Sequence, residues 1–149
     1  MQVDQLRKTI EEAFDSVEVP RFEDLLAPRF RNSIDPLELA AAFREKQWRD
    51  LPAREVFRHR ESLSTLSPVG YRSYIAPYLL GSLEGEDAAD LVEYALFSLR
   101  PATDAQADAD EVMDRLAAFD TAQREAIRGW LEYQLPHHPL ASTILQRWT

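Results

Sequence analysis

Three tyrosines and an arginine stand close together in the stretch LSPVGYRSYIAPYLLGSL. Tyr71, Tyr74 and Tyr78 follow the i, i+3, i+7 spacing of one side of a helix, and each pairs an apolar ring with a polar hydroxyl. With Arg72 beside them and Trp48 from an earlier segment, they could line a pocket for an anion or a peptide. The alternative is that the rings belong to the core, with hydroxyls bonded to main-chain carbonyls or water.

Two groups of carboxylates stand at helical spacing, where two helices are expected to begin. Paired carboxylates can act as acid and base or hold a divalent cation. Acids at a helix start are also stabilised by the helix dipole without any reaction. We therefore predict no catalytic residue and no metal site here, and assign the acids to partner binding. These acids are Asp87, Asp90, Asp108, Asp110, Glu111 and Asp114.

Other chemistry is weakly represented. The chain has no cysteine, which excludes a disulfide framework and thiolate chemistry, and its four glycines form no phosphate-binding loop. His137 and His138 stand between prolines in an expected hinge, with too few nearby ligands for a metal. The basic residues between 44 and 60 are interleaved with acids, which is typical of a salt-bridged face. We predict no cofactor and no nucleic-acid partner.

The net charge of −9 is concentrated in one quarter of the chain. Residues 1–83 have a balance of −1 and residues 121–149 a balance of +1, whereas residues 84–120 carry 11 acids and only two arginines. Such a segment repels phosphates and attracts basic groups. It favours a basic protein as partner, unless it serves only to keep the protein soluble.

The elements that must position these residues are helices. Apolar residues recur at helical spacing, and we find no alternating strand pattern. Asp35 and Asp87 are expected to cap helices, and Asp120 with Gln123 to form a capping box. The expected helices cover roughly 3–17, 35–46, 52–59, 68–83, 88–98, 110–118, 121–134 and a short segment after Pro139. We predict an all-α fold, a single irregular bundle of about seven or eight helices.

The helix expected over 68–83 is apolar on nearly every side, which is typical of a central helix. Pro77 lies in its middle and cannot donate a hydrogen bond, which costs about 3 kcal/mol in a regular helix. We therefore predict a bend near Pro77, stabilised by packing.

Residues 1–149 are expected to form one domain. No apolar run reaches the ~18 residues of a membrane span and no basic start precedes an apolar run, so we predict a cytoplasmic protein with no membrane contact. The tail, residues 135–149, holds Leu140, Ile144, Leu145 and Trp148. Its short helix must dock on its own bundle or on a second copy, which leaves a monomer or a homodimer open.

Three stretches resemble a family of small bacterial proteins of unknown function. They are QWRDL with its Trp-x-x-Leu element, LSTLSPVGYRSYIAPYLL with an L-S-P-x-G-x-R-x-Y helix start, and RLAAFDTAQREAIRGWLEY. The resemblance covers roughly residues 3–134 and leaves out the tail. It implies no activity and no catalytic residue.

Two hypotheses follow for the function. The first is a non-catalytic protein-binding module with an acidic surface, by analogy an inhibitor of the immunity-protein or antitoxin type. The second is a small ligand-binding domain or enzyme that uses a tyrosine and arginine pocket at the Pro77 kink. A convergent, closed cavity at the kink would favour the second hypothesis, and an acidic surface with exposed apolar residues would favour the first.

Overall fold

A computed structural model describes residues 2–101 and 109–148, and these residues form one all-helical domain. Eight α-helices lie in the described ranges, in agreement with the sequence prediction, and short 3₁₀ segments join several of them. The helices are α1 (Val3–Ala13), α2 (Ile34–Phe43), α3 (Ala53–Arg58), α4 (Pro68–Gly81), α5 (Ala88–Leu99), α6 (Ala109–Ala117), α7 (Thr121–Gln134) and α8 (Pro139–Gln146). None of the described helices is both long and apolar enough to cross a membrane.

The helix α4 is the centre of the bundle. It contacts α1, α3, α5 and α6, together with the 3₁₀ segments Trp48–Asp50 and Arg60–Thr65. It contains more buried residues than any other described helix, which confirms its predicted place. Pro77 lies inside it, and the helix runs without interruption from Pro68 to Gly81.

The start of α4 is held against the chain segment that precedes α2. The Ser67 side chain accepts from the Gly70 N–H, and the Ser67 N–H donates to the Leu25 carbonyl at 2.9 Å. An isolated antiparallel bridge joins Leu26 to Leu66 beside this contact. A Cβ atom on Gly70 would stand 2.4 Å from the Leu25 carbonyl oxygen, so only glycine allows the two backbones to approach this closely.

We expect the substitution Gly70→Ala to lower the free energy of unfolding by about 1–3 kcal/mol, because the new methyl group meets a main-chain carbonyl that cannot move aside cheaply. Urea denaturation measures the loss. Gly81→Ala is the matched control, since its methyl group would meet only the end of the Leu91 side chain and alanine is the better helix former. An equal loss in both variants would contradict this account.

The predicted boundaries of the first two helices are wrong, and the second helix also ends at Phe43 rather than near 46. The first helix ends at Ala13 and not near 17, because the next N–H groups bond to the third-preceding carbonyl, Asp15 to Glu12 at 3.4 Å and Val17 to Phe14 at 3.5 Å. The Phe14 carbonyl also accepts from the Trp48 indole at 2.9 Å. The helix predicted to begin after an Asp35 cap begins at Ile34, and the N-cap position belongs to Ser33. Phe14 and Val17 remain buried, so the apolar pattern was informative about burial but not about helix length.

The tail is docked on its own bundle. The helix α8 packs against α7 and α5, with Ile144 fully buried and Trp148 almost so. The Trp148 indole donates to the Arg124 carbonyl at 3.1 Å, and Arg128 donates to the Trp148 carbonyl at 3.0 Å. These contacts confirm the expected docking of the tail within one chain.

Candidate functional site

A cleft of about 430 Å³ opens beside Pro77, between α3, α4 and the start of α5. Its apolar floor combines residues that are distant in sequence, because α3 and the segment Trp48–Asp50 both pack on α4. Its volume lies in the range of sites that take a small ligand or a few anchoring side chains. The apolar lining residues are Trp48, Leu51, Ala53, Val56, Pro77, Leu80 and Leu91.

Two contacts hold the Trp48 side chain in this floor, one at the indole nitrogen and one on the face of the ring. Its Nε1 donates to the Phe14 carbonyl, and the guanidinium carbon of Arg49 stands 4.4 Å from the ring centroid. Arg49 in turn donates to Asp15 at 3.1 Å and to the Glu11 carbonyl at 3.2 Å. The aromatic wall of the cleft is therefore preformed.

The rim of the cleft is acidic. Arg7 donates to Glu84 at 2.7 Å, which neutralises that carboxylate. Glu86 and Asp87 also line the cleft, are exposed, and have no ion-pair partner within residues 2–101 and 109–148. Asp87 occupies the N-cap position of α5, but its side chain makes no capping hydrogen bond. The predicted Asp87 cap is therefore wrong, and this carboxylate is left for another partner.

The predicted tyrosine pocket is not formed. Of the five residues proposed for it, only Trp48 lines the cleft, and the three tyrosines are buried in the core. The Tyr71 hydroxyl lies 2.7 Å from the Ser98 hydroxyl. The Tyr74 hydroxyl donates to the Lys46 carbonyl at 2.6 Å, with the Phe43 carbonyl 3.1 Å away. The structure confirms the alternative prediction, in which the three rings belong to the core.

The tyrosines are also unsuited to proton transfer. Burial raises the pKa of Tyr71 to about 12, although Arg115 and Ser98 act in the opposite direction. Burial likewise raises the pKa of Tyr74 to about 12 and moves that of Tyr78 upward. All three hydroxyls therefore stay protonated at neutral pH, far from the pKa that a general base needs.

Arg72 points away from the cleft and toward the start of α7. Its Nε donates to Gln123 at 3.1 Å, and its guanidinium lies 3.7 Å from Asp120. Asp120 and Gln123 also form the predicted capping box, which is confirmed. Arg72 thus joins α4 to α7 and contributes nothing to the cleft.

The predicted acidic surface is divided in two. Asp87 and Asp90 are exposed at the start of α5, whereas α6 reaches the opposite end of that helix, where Arg115 donates to the Ser98 carbonyl. The start of α5 and its contact with Arg115 are roughly 16 Å apart along the helix axis. The α6 group is Asp110, Glu111 and Asp114, with Glu111 paired to Arg29 at 3.4 Å. Asp108 lies outside the described residues.

Sequence reasoning missed most of the cleft. Arg7, Glu84 and Leu91 come from three helices or their ends, and no local spacing links them. One signal was available in the sequence, the glycine Gly85 among acids. In the structure it adopts a φ of +110°, so the chain turns there between Glu84 and Glu86. No group of three potential metal ligands occurs within the described residues.

The motifs behind the family resemblance have structural roles here. Trp48 and Leu51 form part of the cleft floor, and the LSPVG sequence supplies the cap and the close contact of α4. A search of curated proteins and a search of solved structures found no significant match. A family model does match, over residues 2–145, and so includes most of the tail that the resemblance left out. The chain therefore belongs to the Family of unknown function (DUF6714).

Proposed function

We propose that this protein is a non-catalytic binding module whose cleft beside Pro77 takes a segment of a basic protein. The occupant would place one large apolar side chain on the floor at Trp48 and lysine or arginine side chains against Glu86 and Asp87. The observation that carries the proposal is the combination of a preformed apolar floor with two exposed carboxylates on one rim that have no ion-pair partner among the described residues.

Charge explains why the partner should be basic. The arginines of the cleft are already paired, Arg7 with Glu84 and Arg49 with Asp15, so the rim has a negative excess. Opposite charges at a rim speed association and contribute less to affinity than the buried anchor does. A protein that inhibits a partner by covering its basic, nucleic-acid-binding surface would have this charge. We propose that the protein works in the cytoplasm, without a metal or a cofactor.

The test uses fluorescein-labelled synthetic peptides and fluorescence anisotropy. A peptide with a Leu-Trp anchor flanked by lysines should bind, and the same peptide with serine at the anchor or glutamate at the flanks should not. Ala53→Trp, which places a ring at the exposed mouth, should block binding. Binding of the anchorless lysine peptide at equal strength would reduce the effect to non-specific charge attraction and would overturn the proposal.

Charge reversal identifies which acidic group matters. We expect Glu86→Lys with Asp87→Lys to weaken the lysine peptide about tenfold or more at low salt, and this loss should shrink as salt screens the charges. The matched control is Asp110→Lys with Asp114→Lys, which changes the net charge equally on α6. If only the control pair weakens binding, the α6 surface is the site and the cleft is not.

A further inference from the structure

The outward side of α2 is an exposed apolar stripe. Ile34 and Leu37 are 76% and 36% exposed, and Ala41 is exposed as well. These three residues follow one another at spacings of three and four, so they lie in one row along the helix. The opposite side of α2 supplies core residues, namely Pro36, Leu39, Ala40 and Phe43. A helix that is apolar on both sides is normally covered on both sides.

Charged groups lie along one flank of this stripe, in the order acid, acid, base. Asp35 and Glu38 stand near the start of α2. The Lys46 ammonium donates to the Ala42 carbonyl at 3.0 Å, and Ala42 is four residues beyond Glu38, on the same side of the helix. None of these three charged groups has an ion-pair partner within 4.0 Å in residues 2–101 and 109–148.

The charges around the two ends of α2 leave opposite excesses. Asp35 and Glu38 line a depression of about 150 Å³, whose other lining residues are Arg58, His59, Glu61 and Ser62. Three carboxylates face one guanidinium there, and the exposed Arg31 before the helix still leaves an excess of one negative charge, with histidine taken as neutral. Residues 44–46 contribute two bases and one acid, an excess of one positive charge at the other end.

From the stripe and the order of these charges we infer that α2 docks on α2 of a second copy of this chain, in an antiparallel pair related by a two-fold axis. Such an axis brings the same flank of each helix together. With Leu37 opposite Ala41 of the second copy, the Lys46 ammonium of that copy lies level with the turn that carries Asp35 and Glu38. The contact is repeated by symmetry, so a large side chain meets a small one twice and each acidic end meets a basic end.

The order of the charges favours a second copy over a different partner. A basic protein would be repelled at Lys46 and Arg44, and an acidic protein at Asp35 and Glu38, whereas the antiparallel pair satisfies both ends. No residue of α2 lines the cleft beside Pro77, so the pair leaves that cleft open.

The pair should be weak, because one row of side chains on a ten-residue helix buries much less than the ~1,600 Å² of a standard interface. The expected dissociation constant is on the order of 100 μM. Sedimentation equilibrium over about 10 μM to about 1 mM brackets this value. The apparent mass should rise from the 17.1 kDa of one chain toward twice that mass and stop there. A constant mass, or a rise that continues beyond the dimer, would overturn the inference.

A variant in the stripe tests the place of the contact. Ala41→Glu should weaken association about tenfold or more, because its carboxylate would face Leu37 of the second copy. Ala122→Glu, the same change at an exposed alanine of α7, should leave association unchanged. Both positions are exposed and helical, so both variants should keep the native circular dichroism. Equal association of the two variants would show that α2 is not the interface.

Charge exchange tests the antiparallel arrangement. Glu38→Lys and Lys46→Glu should each weaken association, and the double variant should recover the affinity of the native chain to within about threefold, since it restores opposite charges across the pair. The gain from this recovery should shrink as salt is added. If the losses of the two single variants simply add in the double variant, Glu38 and Lys46 do not face each other and the arrangement is wrong.

Discussion

The substitution Tyr78→Ala is expected to lower the free energy of unfolding by about 3–5 kcal/mol, the cost of truncating a large buried ring. Tyr78 is fully buried in the middle of α4, one residue beyond Pro77. Removing its ring would leave a cavity in the core beside α4, the helix that contacts most other elements, where the surroundings cannot easily collapse. Urea denaturation followed by circular dichroism measures the loss. An unchanged midpoint would refute the core assignment of this ring.

Two phenylalanine substitutions separate the ring of a tyrosine from its hydroxyl. The Tyr78 hydroxyl is buried without a hydrogen-bond partner among the described residues, so Tyr78→Phe should leave the protein as stable or more stable. Tyr74→Phe deprives the Lys46 carbonyl of its donor and should cost about 1 kcal/mol. If Tyr78→Phe lost more stability than Tyr74→Phe, the Tyr78 hydroxyl would have a hydrogen-bonding role.

The substitution Arg115→Met should cost about 3 kcal/mol or more. Arg115 is 4% exposed, yet no carboxylate within the described residues pairs with it. Its guanidinium instead donates to the Ser64 carbonyl at 2.6 Å and the Ser98 carbonyl at 3.0 Å, and lies 4.9 Å from the Tyr71 ring centroid. Methionine fills the space but leaves both carbonyls unpaired, at about 1–3 kcal/mol each.

The position of Arg115 at the end of α5 adds to this effect, because the carbonyl end of a helix attracts a cation. Arg115→Lys keeps the charge, but one compact ammonium cannot reach both carbonyls as the two guanidinium nitrogens do. We therefore expect an intermediate loss of stability. Arg31→Met serves as the surface control and should change little. If Arg115→Met unfolds at the same urea concentration as the native chain, the free-energy cost of burying the charge equals the stabilisation that its hydrogen bonds provide, and the prediction is wrong.

Much of the fold could be predicted because helical periodicity reports directly on burial. The apolar character of 68–83 indicated a central helix, and the Asp120 to Gln123 spacing indicated a capping box that the structure has. The tail pattern likewise indicated a docked helix. These features depend on residues only a few positions apart, which is where sequence patterns are most informative.

The candidate site could not be predicted in the same way because it depends on contacts between distant segments. Nothing local shows that the Trp48 indole donates to the Phe14 carbonyl just beyond the end of α1. The acids of residues 84–120 look continuous in sequence, but one described group lies at the start of α5 and the other on a separate helix, α6, whose Arg115 contacts the end of α5. A run of like charge predicts attraction for a basic partner, but it does not predict over how many separate surfaces the charged residues are distributed.

The central place of α4 determines how this protein can open. A helix that touches four others cannot separate from one neighbour without loosening the rest, so its amides should exchange with solvent deuterons only when the whole domain unfolds. By contrast, the main helix contacts of α8 are with α7 and α5, and α8 can detach alone at a smaller cost. Among the described residues, none from α8 lines the Pro77 cleft, so the cleft should stay formed when the tail helix detaches.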